Sequence, residues 1–371
     1  MHTADPVPLA QALIRCASVT PADDHAQSVL AASLAALGFT IHHVPFGTTP
    51  NLVAVLGHGH PHFCFAGHTD VVPPGPGWRH APFAADIDGG ALYGRGACDM
   101  KGAIAAFVAA AETLGPPARG CISLLITGDE EGPAHDGTVR VLDWMAEHDL
   151  TPDLCIVGEP TNPDRLGEVI KIGRRGSLNA VITIHGVQGH AAYPHKADNP
   201  VHRLVAVLAA LTTHRLDDGT AFFEPSALQV TSVDVGNPAS NVIPGQARAR
   251  LNIRFNDTHT GLGLEAWLRG VTAAHASRFD LEVSISGEAF RTSPSDFTAA
   301  LADCVQHVTG LAPRLDTGGG TSDARFISRH CPVAEFGLVG ASMHRIDENV
   351  PLADLTALTA IYTALLRRVL A

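Results

Sequence analysis

The sequence predicts an α/β protein with a second, ferredoxin-like α+β domain inserted into it, and three observations carry that expectation. Short apolar, β-favouring runs alternate with helical stretches through the first half of the chain, as in a mostly parallel sheet flanked by helices. From about Gly176 the texture changes to alternating strands whose order, β-α-β-β-α-β, is that of a ferredoxin-like unit. The chain has 371 residues, enough for two domains at roughly 150 residues each. The expected division is 1–175 with 290–371 for the main domain and 176–289 for the insert.

In order along the chain, 6–17 and 24–37 read as amphipathic helices, the second closed by Gly38. Strands follow over 39–44, 52–56 and 63–66. The histidine-rich His58-Gly-His60-Pro-His62 between the last two reads as a turn, because glycine and proline punctuate it. The Ala-rich 104–114 is helical, 121–127 is a buried strand, 139–148 a helix and 154–157 a strand. In the insert, strands are expected over 178–187, 228–235, 247–255 and 281–286, with helices over 201–213 and 262–276. After Pro294 come a helix over 296–308, a short strand over 333–336 and a last helix over 352–370. No internal repeat is evident.

Bulk properties exclude several classes. Lys and Arg number 25 against 37 Asp and Glu, a formal charge of −12, which argues against binding nucleic acid, where affinity rests on cationic side chains. No apolar run approaches the ~18 residues of a membrane span, and the N-terminus has no basic region followed by an apolar block. Seven scattered cysteines without a Cys-x-x-Cys fit a reducing cytoplasm better than a disulfide framework.

The chemistry concentrates where strands end. The run 121–127 stops at Gly128 and presents Asp129, Glu130 and Glu131. The strand over 63–66 leads into Gly67-His68-Thr69-Asp70, and 154–157 leads into Gly158-Glu159-Pro160. Taken singly, each would pass as a solvated turn after a core strand. Together they put imidazole and carboxylates beyond the carboxyl ends of several strands, where α/β sheets build their sites. Gly94-x-Gly96 looks like the start of a dinucleotide fingerprint. Asp99 occupies the third-glycine position, however, and an acid there would repel a pyrophosphate; it reads better as an acid held at the mouth of the following helix. A two-metal hydrolytic site needs ligands for two adjacent cations and a base for water. His68, Asp99, Glu131, Glu159 and His344 are candidate ligands, and histidine and carboxylate without cysteine suit catalytic zinc. Glu130, beside a ligand, is placed to act as the base, and Asp70 to orient His68.

These motifs resemble, in order, those of the co-catalytic di-zinc peptidase family that includes aminoacylases, acetylornithine deacetylases, carboxypeptidases and succinyl-diaminopimelate desuccinylase. The matching stretches are Gly67–Asp70, Gly94-Arg-Gly-Ala-Cys-Asp-Met-Lys-Gly102, Thr127-Gly-Asp-Glu-Glu-Gly132, Gly158-Glu-Pro160, Gly189-His-Ala-Ala-Tyr-Pro-His195 and Met343-His344. The resemblance implies a zinc-peptidase-like catalytic domain with a mixed, largely parallel sheet flanked by helices, and an inserted dimerisation domain. It implies two zinc ions per subunit, with cobalt able to replace zinc at one position. His68, Asp99 and Glu159 would hold one ion, Asp99, Glu131 and His344 the other, with Asp99 bridging. Glu130 would deprotonate water and then protonate the leaving amine. His190 would reach the partner subunit's site in a homodimer and stabilise the oxyanion there.

Within the family, Gly173-Arg174-Arg175-Gly-Ser177, Asn241-Val-Ile-Pro244 and Gly318-Gly-Gly320-Thr321-Ser-Asp323-Ala-Arg-Phe326 look like the desuccinylase pattern. An N-succinyl diamino-diacid carries several carboxylates, which Arg174, Arg175 and Arg254 can bind bidentately. Tyr193, Asn241, Gly320 and Thr321 complete the expected substrate contacts. An acetylornithine deacetylase, or another aminoacylase or dipeptidase with the same zinc site, is the alternative. Two further readings are weaker. Gly320-Thr-Ser322-Asp-Ala324 misses the last glycine of a serine nucleophile elbow. A catalytically dead binding protein would not be expected to keep Glu130 along with every ligand.

Overall fold

The apolar runs around residues 52, 64, 124 and 156 become neighbours in one sheet. The structure is a computed structural model and describes residues 3–370. Its main sheet has eight strands in the order Thr40–His43, Asn51–His58, Gly120–Thr127, His62–His68, Leu154–Val157, Val333–Glu335, Val169–Lys171 and Arg314–Asp316. The centre is parallel: His62–His68 runs parallel to both Gly120–Thr127 and Leu154–Val157, and the latter runs parallel to Val333–Glu335. Thr40–His43 and Asn51–His58 add antiparallel at one edge. Strands covered on both faces read as unbroken apolar runs rather than alternating ones, and every residue of His62–His68 and Gly120–Thr127 is buried.

Register decides where the chemistry goes. His68 pairs with Thr127 and Ala66 with Val157. The chain therefore leaves three adjacent strands at one level and in one direction, which gathers residues 68–70, 128–131 and 158–159 at a single edge of the sheet.

Helices Gly102–Leu114, Asp296–Thr309 and Leu352–Leu370 close the core. Gly102–Leu114 is buried from Gly102 through Ala111, as an Ala-rich helix apolar on every side must be. Its Phe107 stacks on Phe65 at 4.4 Å between ring centroids and meets Tyr362 edge-on at 5.6 Å. The Tyr362 hydroxyl donates to the Phe336 carbonyl at 2.6 Å, satisfying the one polar atom this aromatic group would otherwise bury unpaired. Truncating such a ring costs about 3–5 kcal/mol.

The chain divides into two compact units. The first comprises the chain up to Ile172, Thr292–Asp316 and Ser322 onward; the second comprises Gly173–Arg291 with Thr317–Thr321. The divisions lie just outside the expected 175 and 290 because Gly173–Arg174 pairs antiparallel with Phe290–Arg291. The second unit has a four-stranded antiparallel sheet in the order Ala227–Asp234, Gln246–Phe255, Gly176–His185, Phe279–Gly287. With helices Pro200–Thr213 and Gly261–His275 between its strands, this is the ferredoxin-like order of elements. Alternate residues Leu178, Ala180, Ile182 and Ile184 are buried against Leu204 and Leu264, the period-two pattern of a sheet with one covered face. Asn199 and Thr260 cap the two helices by accepting the Val201 and Gly263 amides.

Some elements were not expected from the sequence. The three-residue strands Val169–Lys171 and Arg314–Asp316 extend the main sheet, and a small sheet joins Asn349–Pro351, Ala91–Tyr93 and Ile87–Asp88. The histidine-rich turn is a turn, confined to residues 59–61. His60 Nδ1 lies 2.7 Å from Asp153 Oδ2 and His62 Nε2 lies 2.7 Å from Ser123 Oγ. Among the described residues no helix is long and apolar enough to cross a membrane.

Candidate metal centre

His68 closes the strand His62–His68 with its side chain 1% exposed. Its Nδ1–H donates to the Asp70 carbonyl at 2.8 Å, and that bond turns Nε2 toward Asp99 Oδ1 (3.3 Å) and Glu159 Oε1 (3.6 Å). Asp99 sits in the turn Ala97–Lys101, immediately before helix Gly102–Leu114, with the Asp99–Met100 peptide cis. The next side chain, Met100, is fully buried beside two motif glycines. A Cβ at Gly67 would lie 2.5 Å from Met100 Cε, and one at Gly158 would lie 2.7 Å from it. Only glycine at both positions lets Met100 lie against the two strand ends, and that seat brings Asp99 up to His68 and Glu159.

On the other side of Asp99, His344 Nε2 lies 3.2 Å from Asp99 Oδ2 and 2.9 Å from Glu131 Oε1. His344 adopts φ 60°, a backbone conformation that non-glycine residues rarely hold unless their surroundings impose it. One potential ligand atom from each of His68, Asp99 and Glu131 lies within 4.8 Å of the others, and the same is true of His68, Glu130 and Glu159. The expected set is thus brought together, with one addition. Glu130, expected only as the base, stands as close to His68 and Glu159 as a ligand would.

Asp70 reaches His68 through its carbonyl, and its carboxylate has further partners. Its carboxylate is 3.6 Å from His68 Nδ1, whereas it accepts the Thr20 hydroxyl at 2.8 Å and the amides of Glu130 at 3.3 Å and Glu131 at 3.0 Å. It therefore fixes the backbone carrying both glutamates, while its carbonyl orients the histidine. Asp129 points away from this group: its Oδ2 accepts the amides of His135 and Asp136 and shapes the following loop.

The electrostatics follow from crowding. Burial would discharge His68, but Asp99, Glu159, Asp70 and Glu130 outweigh it and hold its proton well above the ordinary imidazole range. Burial likewise opposes charge on Asp99, yet His344 and His68 hold its carboxyl far below the usual carboxylate range. Asp99 and Glu131 push His344 up to about 10. Burial, reinforced by Glu159 and then Asp323 and Glu131 against the opposing pull of His68, pushes the Glu130 carboxyl well up.

His68 Nε2 and Asp99 Oδ1 are both buried and face one another at 3.3 Å, too poorly aligned for a hydrogen bond. Buried polar atoms without partners are rare and call for an explanation. Crowded carboxylates and imidazoles with no thiolate among them are the donor set of a divalent cation such as catalytic zinc. The residues fit such an ion.

The second unit holds the other candidates. His190 is exposed on the two-residue strand Gly189–His190, which pairs with Val242–Ile243, and the Ala191 amide donates to the Asn241 carbonyl at 2.8 Å. Tyr193, 53% exposed, has its ring centroid 5.5 Å from that of His190. These three candidates are therefore neighbours. Arg174 is buried and donates to the Gly320 carbonyl at 3.2 Å, next to Thr321. Arg175 lies 3.6 Å from Glu224, and Arg254 donates to Asn252 at 3.2 Å. Burial and then the Arg175 charge depress the Arg254 guanidinium.

Two supporting residues escaped the sequence reading. Arg95 lies between the glycines of Gly94-Arg-Gly96, a motif that by itself gives the arginine no role. Its Nη1 donates to Glu348 Oε2 at 2.6 Å, with the two side chains 2% and 0% exposed. Glu348 has no local sequence signal at all.

An α/β sheet with an imidazole–carboxylate cluster beyond its parallel strand ends defines a metal-dependent hydrolase of the peptidase type. The chain belongs to peptidase family M20/M25/M40, whose model matches residues 64–368; it is an amidohydrolase of a family that uses divalent metals. It is 65% identical over 370 residues to the succinyl-diaminopimelate desuccinylase of Gluconacetobacter diazotrophicus, covering 98% of this chain and 96% of that one. It is 63% identical to the protein of that name from Acidiphilium cryptum, with 100% of each chain covered. The fold matches that of aminopeptidase PepT from Bacillus cereus with a TM-score of 0.80 at 19% identity, over 98% of both chains. It also matches the M20 family metallo-carboxypeptidase Sso-CP2 from Sulfolobus solfataricus, with a TM-score of 0.77 at 17% identity over 98% of both chains.

Proposed function

We propose that this protein hydrolyses N-succinyl-LL-2,6-diaminopimelate to succinate and LL-2,6-diaminopimelate, a step of diaminopimelate and lysine synthesis. The observation that carries this reading is the 65% identity, from end to end, with a protein that bears the desuccinylase name. In this reading two zinc ions bind per chain, one held by His68, Asp99 and Glu159, the other by Asp99, Glu131 and His344, with cobalt able to replace zinc at one position. When bound, such ions polarise the scissile carbonyl and lower the pKa of the attacking water.

Glu130 takes the proton of the attacking water and passes it to the departing amine. A carboxyl group raised by burial and by Glu159 is suited to hold that proton between the two events. Water adds its oxygen to the carbonyl carbon, the C–N bond breaks, and the products are a carboxylate and an amine. Asp70 keeps Glu130 and Glu131 in place through their amides. His190, from the partner subunit of a homodimer, donates a hydrogen bond to the oxyanion. Arg174, Arg175 and Arg254 bind the substrate carboxylates, and Tyr193, Asn241, Gly320 and Thr321 contact the remainder. Seven free, buried cysteines fit residence in a reducing cytoplasm.

The test is turnover of N-succinyl-LL-2,6-diaminopimelate, N-acetylornithine and simple dipeptides by zinc-loaded protein. The succinyl compound should be turned over fastest; faster hydrolysis of N-acetylornithine would overturn the assignment.

A further inference from the structure

Outside the cluster, Arg95 and Glu348 are buried charges of the first unit that pair with one another. An ion pair taken wholly out of water gains little unless its remaining hydrogen-bonding capacity is used. Glu348 divides that capacity between its two oxygens. Oε2 receives Arg95 at 2.6 Å, and Oε1 receives the backbone amides of Cys98 at 3.0 Å and Asp99 at 3.3 Å. The carboxylate thus binds the turn that presents Asp99, while its own backbone belongs to the loop that presents His344, four residues earlier. That loop has other anchors. Ser342 and Asn349 exchange hydrogen bonds at 2.9 and 3.1 Å, and Asp347 accepts the Arg79 amide at 2.8 Å. Glu348 is therefore not needed to fold the loop, and its Oε1 serves the 97–101 turn.

We propose that Glu348 is a positioning residue. It joins the Asp99 turn to the His344 loop, so that these two groups, 3.2 Å apart, meet at the same cation, and Arg95 aims the carboxylate by occupying its far oxygen. The inference rests on the two-cation reading given above and adds to it the device that sets its geometry. A bare fold-stabilising ion pair would account for Arg95 and Oε2 but would give Oε1 no particular partner.

Glu348→Gln leaves a single acceptor oxygen, which Arg95, the stronger donor, captures. The new amide NH2 then faces the 98 and 99 amides, donor against donor. Replacing both residues (Arg95→Gln with Glu348→Gln) removes the buried charge and frees that oxygen to accept from 98 and 99 again. The readouts, on the full chain, are zinc affinity by competition with a chromogenic chelator, the visible spectrum of the cobalt-loaded protein, and the unfolding temperature without metal. Supporting ion-binding groups are typically worth about 10–100-fold in metal affinity. The single variant should keep one tight equivalent, weaken the second by that factor and alter the cobalt spectrum, and the double variant should recover both. The proposal is overturned if Glu348→Gln binds two equivalents as tightly as wild type with an unchanged spectrum and loses only thermal stability. It is equally overturned if the single variant fails to fold and the folded double variant binds its second equivalent no better than a His344→Ala control. Wild-type protein that binds no zinc would strike the metal-centre reading itself, which the same titration shows separately.

Discussion

The cluster of the first unit and the His190–Tyr193–Asn241 group of the second hold their side chains in opposite ways. In the first, every group of the cluster is tied to backbone or to a neighbour. His68 is tied to the Asp70 carbonyl, the 130–131 segment to the Asp70 carboxylate, and the Asp99 turn to Glu348. In the second, His190, Tyr193 and Asn241 are exposed, carried on a two-residue strand and the loops beside it. Ions held by several ligands demand positions fixed before binding, because misplacement of each ligand weakens them all. Side chains that meet a substrate or another subunit can remain in solvent until it arrives. In the proposed reading the first set carries the metal ions and the base, and the second meets the substrate and the partner subunit.

The largest effect is expected for Glu130→Ala. Removing a general base costs about 10²–10⁴-fold in rate, so kcat should fall by that much while zinc content, measured by mass spectrometry, is retained. Full activity, or loss of an ion along with activity, would move Glu130 from base to spectator or ligand. Zinc uptake should also depend on pH. His344, held protonated up to about 10 by Asp99 and Glu131, must shed its proton to bind an ion, so affinity should rise with pH through neutrality and level off only near that value. Each displaced proton adds about tenfold per pH unit to the slope. Calorimetry in buffers of different ionisation enthalpy should detect at least one proton released at pH 7; uptake without release would exclude His344 as a ligand.

Much of the first set was legible because each piece carries a local signal. Gly67-His68, Gly158-Glu159 and Gly128 with its three acids all follow apolar runs long enough to be read as strands. What tied them together was not legible. Glu348 serves residues 250 positions away, and no periodicity or spacing reports a contact of that separation. Val169–Lys171 and Arg314–Asp316 are too short for an alternation pattern to emerge. For Asp70, sequence proximity suggests His68 as the main partner of its carboxylate. The amides of 130 and 131 appear only once the parallel register sets strands 62–68 and 120–127 side by side.

For the proposed substrate-binding arginines of the second unit the expected effects are smaller. Arg254→Lys exchanges a planar fork for a point charge and should raise KM about tenfold, a loss of about 1.4 kcal/mol, with kcat little changed. A fall in kcat at constant KM would place Arg254 with the chemistry instead. Mixing two inactive proteins tests action across subunits. His190→Ala and Glu130→Ala chains refolded together should regain about a quarter of wild-type activity, since half of randomly paired dimers would carry one complete site. No recovery, in dimers shown by mass spectrometry to have exchanged, would confine His190 to its own chain.

Two glycines, one in each unit, should change stability with opposite signs, the smaller effect falling at Gly270. A Cβ at Gly67 would stand 2.5 Å from Met100 Cε and 3.3 Å from Phe65 Cε1. Met100 is flexible, but it is wholly buried and the Gly158 side is equally tight, at 2.7 Å, so it has nowhere to retreat. Overpacking of this kind costs about 1–3 kcal/mol. Because the strain falls on the residue after Asp99, Gly67→Ala should also weaken zinc binding. Gly270 sits exposed inside helix Gly261–His275, and a Cβ there would meet nothing within 4 Å. Gly270→Ala should therefore stabilise the protein by about 0.5–1 kcal/mol, the helical preference for alanine, and leave zinc affinity unchanged. Thermal unfolding and zinc titration of both variants would decide the matter. If Gly67→Ala unfolds like wild type, Met100 is not wedged against that glycine, and the packing that presents Asp99 to His68 has been misread.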